Sequence, residues 1–130
     1  MSTEKKASAQ AEQQRMRDLK LEISDFPVFH QVEVLPLKIG TYYDMKKAVY
    51  ARRRASGREI TREEKEEIKA AINRFLAKYC GRLDYKMAGI LIRKRYDLDA
   101  NEVADVSEKD LCGFIAQARA MEAQRKKGRP

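Results

Sequence analysis

The segment from Thr61 to Gly81 constrains the fold more than any other. Thr61-Arg62-Glu63-Glu64 has the capping-box pattern, in which a hydroxyl at the helix start and a glutamate three residues on satisfy amides that would otherwise lack partners. Behind it Ile68, Ile72, Phe75, Leu76 and Tyr79 recur at i, i+4, i+7, i+8 and i+11, one apolar stripe of helical period. Cys80-Gly81 ends the run, with glycine suited to a left-handed cap. A helix with one apolar face must be covered by other elements, so the remaining chain is organised around it.

Those elements are legible. Tyr42, Met45, Val49 and Arg52 give a helix from Thr41 to about Ala55, stopped by Ser56-Gly57. A shorter helix is expected from Leu83 to Ala88 or beyond. Ile90 to Asp99 has the composition of an extended strand, and a turn over Asp99–Glu102 leads to a second strand, Val103–Val106. Ser107-Glu108-Lys109-Asp110 opens a last helix with Leu111, Phe114, Ile115 and Ala118 as its apolar face. Upstream, Val32–Leu37 lies before Gly40 as a loop or edge strand. The expected class is α+β, mostly helical with a small β-hairpin. Its 130 residues suit one domain over 21–120, with a polar flexible extension at 1–20 and a basic tail at 121–130.

Composition excludes several functions. No apolar run approaches the roughly 20 residues that cross a bilayer, and the first residues lack the apolar core of a secretory signal. Cys80 and Cys112 are too few for a disulfide framework and lack zinc-site spacing; both read as small buried hydrophobes kept reduced in a cytoplasm. His30 is the only histidine, which removes serine or cysteine triads and multi-histidine metal sites. Neither a phosphate-binding glycine loop nor an HExxH pair is present. The expectation is a non-enzyme without cofactor. Twenty-eight Lys and Arg against twenty Asp and Glu give a formal charge of +8, which favours a polyanionic partner.

Three places suit an anion. On an extended strand Arg93 and Arg95 share one face, either as a two-pronged phosphate grip or as solubilising charge. The helix start at Thr61, with Arg62 beside it, offers free amides and a favourable dipole, although Glu63 and Glu64 occupy the same dipole. Arg52, Arg53 and Arg54 cluster where cations also suit a helix C-terminus. Tyr79 and Tyr85 can stack on unpaired bases, and Tyr79 equally continues the core stripe.

With these residues assembled, the chain resembles the ProQ/FinO family of bacterial RNA chaperones over about residues 20–120. Phe26-Pro27-x-Phe29, Pro36-Leu37-Lys38-Ile39-Gly40 and Asp44-Met45 are similar to its FP, PLKIG and helix-opening motifs. Arg95-Tyr96-Asp97-Leu98-Asp99 is similar to its hairpin motif. The resemblance implies a compact helical domain with a β-hairpin that binds structured RNA, with small RNAs and messenger 3′ ends as partners. It implies recognition of the base of a terminator-type stem-loop and its single-stranded 3′ tail, by a monomer, in post-transcriptional regulation. It assigns the terminal nucleotides to Lys38, Tyr85 and Arg95 and a helix start to Thr61. Either Lys69 or Arg74 inherits a central-helix arginine, according to register. Ala100 stands where the family has a hairpin glycine, and residues 51–57 lengthen the first helix. A DNA-binding regulator and a protein-interaction adaptor are the competing readings.

Overall fold

The computed structural model describes residues 3–128, with side-chain surroundings from residue 6 onward. In chain order these are α1 (Thr3–Ser24), a single 3-10 turn (Pro27–Phe29), α2 (Thr41–Ala55), α3 (Arg62–Cys80), α4 (Leu83–Ile92), β1 (Lys94–Tyr96), β2 (Glu102–Asp105) and α5 (Glu108–Lys127). The two strands pair antiparallel, so the observed class is the expected one: mostly helical, with one hairpin.

The capped helix is central. Thr61 is extended and its hydroxyl accepts from the Glu64 amide at 3.1 Å. Ile68 and Ile72 are fully buried, and Ala71 joins them on the same face. Leu19 and Ile23 of α1 and Met45 and Val49 of α2 complete this part of the core. Gly81, however, ends α3 at φ −80° and not in the left-handed region. On the far side α4 packs on α5 closely enough that a Cβ at Gly89 would lie 2.5 Å from the Phe114 ring, so only glycine fits there.

Two local expectations need correction, those for Ile90–Ile92 and Cys112, and the expected bounds at 20/21 and 120/121 both fall inside helices. α1 begins at Thr3 and runs unbroken past residue 20 to Ser24. Its buried residues, Leu19 and Ile23, have an i, i+4 spacing that puts both on the core side. At the other end, α5 runs unbroken through the basic segment to Lys127, and the last two residues lie outside those described. Ile90–Ile92 are helical, the last turn of α4, with Leu91 exposed; short apolar runs do not distinguish helix from strand. Cys112 is exposed, while Cys80 is half-buried.

The hairpin turn is made by Asp97, whose carboxylate accepts from the Asp99 and Asn101 amides at 3.0 and 2.9 Å. Ala100 is forced to φ 64°, where a Cβ costs about 1 kcal/mol. Ala100→Gly should therefore raise the unfolding free energy by about 1 kcal/mol, less whatever glycine adds to unfolded-state entropy. Urea denaturation checks this, and a destabilised variant would show that Ala100 is not strained.

Candidate functional site

Leu35 to Lys38 is irregular chain that runs through the interior, with Pro36 and Leu37 buried. Buried backbone amides and carbonyls need partners, and here neighbouring elements supply them. The Tyr79 hydroxyl at the end of α3 accepts from the Leu35 amide at 3.2 Å and donates to its carbonyl at 3.1 Å. The Leu37 amide donates to the Tyr85 hydroxyl at 3.1 Å, and its carbonyl accepts from Arg95 Nη1 at 2.7 Å. Around them the Tyr96 amide donates to the Pro36 carbonyl and the Lys38 amide to the Tyr96 carbonyl, at 2.9 and 2.8 Å. The segment is in effect a third, parallel rung beside β1.

Lys38, Tyr85 and Arg95 therefore converge on one stretch of backbone, but with different exposures. Tyr85 is buried, and burial, with the Cys80 thiol adding to it, pushes its hydroxyl up to about 12. Arg95 is buried too: Nη2 donates to Asp110 at 2.8 Å, the guanidinium lies 5.8 Å from the Phe114 ring centre, and Nε is buried without a partner among the described residues. Lys38 alone projects outward, its Nζ 3.0 Å from Asp44. That ion pair is more than a third exposed on both sides, so it is weak and exchangeable.

Beside Arg95 lies a helix start the sequence did not connect to it. Ser107 caps α5 by accepting from the Asp110 amide at 3.1 Å, and Asp110 in that first turn is Arg95's partner. The capping pattern was readable; its position next to Arg95 depends on the hairpin's length and register. Thr61 and Arg62 are elsewhere, at the opposite end of the 19-residue α3, about 28 Å of helix rise from Cys80.

The other candidate cations disperse. Arg93 is not on the strand: at φ 60° it ends α4, and its Nε donates to the Ile90 carbonyl at 3.0 Å, so no paired face with Arg95 forms. Arg53 ties three helices together through Glu22 at 3.1 Å and Glu64 at 3.2 Å. Arg52 lies over the Phe26 ring, 4.5 Å from its centre, and donates to the Asp25 carbonyl at the end of α1. Arg54 remains exposed. Lys69 and Arg74 leave α3 about 140° apart and so serve different faces. Among the described residues no group of three metal-ligating side chains exists, and no helix is long and apolar enough to cross a membrane.

The model of the ProQ/FINO family matches residues 13–130. In fold the chain is similar to the crystal structure of a FinO-like RNA chaperone from Neisseria meningitidis MC58. The TM-score is 0.53 and the identity 21%, over 93% of this chain and 88% of that one. No curated protein matches.

Arg95→Met should cost about 1–3 kcal/mol of stability, chiefly because it strands the buried Leu37 carbonyl, while the partly exposed Asp110 carboxylate turns to water. Chemical denaturation measures it, and a loss below 1 kcal/mol would show that the clamp is dispensable. Alkali gives a second test. An unfolded tyrosine ionises near pH 10 and the folded Tyr85 near 12, so its contribution is complete below pH 10 and is lost as pH rises from 10 to 12. Tyr85→Phe should flatten that decline by up to about 1.4 kcal/mol per pH unit; an unchanged slope would mean that Tyr85 ionises freely.

Proposed function

The chain belongs to the ProQ/FinO family, and from that premise we propose that it is an RNA-binding chaperone for terminator-type stem-loops with a single-stranded 3′ tail. The observation that carries the reading is the convergence of Lys38, Tyr85 and Arg95 on the Leu37–Lys38 backbone, beside the first turn of α5. Lys38 exchanges its exposed Asp44 partner for a phosphate of the terminal nucleotides. Tyr85 and Arg95 act mainly by positioning: they hold the loop that presents Lys38. The first-turn amides of α5, rather than those at Thr61, are the helix-start donors within reach of this corner.

Selectivity in this reading comes from shape. The deep major groove of an RNA stem is closed to side chains, so the cations follow phosphates and the free 3′ terminus supplies the distinction. A net charge of +8 supports approach to such a ligand. The protein works as a cytoplasmic monomer on small RNAs and messenger 3′ ends, by binding and not by catalysis.

Affinity for a terminator hairpin should fall by about two orders of magnitude between 50 and 200 mM salt, as expected for about four neutralised phosphates. Lys38→Ala should weaken binding about tenfold and leave the fold intact, and a hairpin with a blocked 3′ hydroxyl should bind less well than a free one. A flat salt response, or equal displacement by duplex DNA, defeats the proposal; both are read by fluorescence anisotropy with a labelled hairpin.

A further inference from the structure

On one side of the α1–α3 contact the charges are neutralised: Arg15 pairs with Glu67 at 3.1 Å, and Arg53 with Glu22 and Glu64. On another side the same helices form a groove of about 340 Å³ lined by Arg17, Lys20, Arg74 and Lys78 with no carboxylate. All four cations are exposed, and among the described residues none takes part in an ion pair. The floor between them is apolar, made by Met16, Ile23, Ala71 and Phe75. The grooves beside Leu83, Arg52 and Glu59, by contrast, each include acidic side chains.

Unpaired cations held on two adjacent helices repel one another, and a polyanion relieves that repulsion. The floor narrows the choice of polyanion. A membrane-binding helix presents protruding apolar side chains, whereas here Ile23 and Ala71 are recessed and buried beneath a charged rim. A recessed apolar floor with cations along both edges suits a single-stranded nucleic acid, whose bases need an apolar surface and whose phosphates need the rim. Duplex would offer only phosphates and leave the floor unused.

We propose that the α1–α3 groove is a second RNA-binding surface, which holds a single-stranded segment flanking the stem-loop whose 3′ end is held at Lys38. It rests on the RNA reading above and extends it. Arg74 and Lys78 leave α3 on the side turned from Lys65 and Lys69, so the groove is separate from the face those lysines occupy. Engagement of both surfaces by one RNA makes the second contact intramolecular and raises affinity without a stronger contact at either.

The test uses the full chain and two labelled RNAs: a hairpin with a 3′ uridine tail, and the same hairpin extended by a single-stranded 5′ flank of mixed adenosine and uridine. The wild-type protein should bind the flanked RNA about tenfold tighter. The double variant Lys20→Gln/Lys78→Gln, at exposed positions, should bind both RNAs alike, with bare-hairpin affinity changed less than twofold. Its salt slope on the flanked RNA should be shallower by about 1.4, at 0.7 per single-strand phosphate contact. If the wild type binds the bare hairpin but gains nothing from the flank, or if the variant keeps the gain, the groove is not an RNA site and the first reading stands. If the wild type retains neither RNA, the RNA reading itself falls.

Discussion

A buried peptide group cannot be left without a hydrogen-bonding partner, and in this fold that requirement falls on Leu35 to Lys38. The segment belongs to no helix, yet it passes through the interior. Its groups are met by side chains from three directions: Tyr79 from α3, Tyr85 from α4 and Arg95 from β1. Because each partner comes from a different element, the loop also fixes where those elements sit. Arg95 extends the linkage to α5 through Asp110. One arginine thus joins the loop, the hairpin and the last helix.

This gives the site residues a different division of labour from the one their chemistry first suggests. A tyrosine, an arginine and a lysine in one corner look like three ligand contacts. Two of them are already committed to the protein's own backbone, and the lysine is the one displayed. A second arginine, Arg53, is likewise internal, held between Glu22 and Glu64 and joining three helices. Charge in a basic protein is therefore a poor guide to contact until exposure and pairing are known. Arg17 and Lys20 show the converse: no local pattern marks them in a polar stretch, and among the described residues neither takes part in an ion pair.

Much of the fold was legible in the residues. The capping box at Thr61 and the stripe behind it placed α3, and Ser107 to Asp110 placed the start of α5. Motif resemblance picked out Lys38, Tyr85 and Arg95; the last two bond the Leu37 backbone, next in the chain to Lys38. What was not legible depended on tertiary contacts. Ile90–Ile92 have strand composition, and nothing local shows that they continue α4, whose Gly89 packs on Phe114 of α5. Arg93 and Arg95 share a face in an extended chain, but the helix runs into Arg93 and turns it away. Thr61 and Ser107 have equivalent cap chemistry, and no local signal tells which one lies beside Arg95. Met16, Leu19 and Ile23, at i, i+3 and i+7, are a short stripe in a polar stretch, with Leu21 off it, too weak a pattern to show that α1 is anchored.

The length of α5 has a mechanical consequence. Ala118 is its last buried residue, yet the helix continues to Lys127. Met121 is still half-buried, so the six residues after it form a stiff boom of about 9 Å, fixed at one end by the packed turns before it. A tilt of about ten degrees at the fixed end swings the tip by roughly 1.5 Å on that length. A tilt of α5 at its Arg95–Asp110 root is in this way largest at the three cations on its far end, Arg125, Lys126 and Lys127.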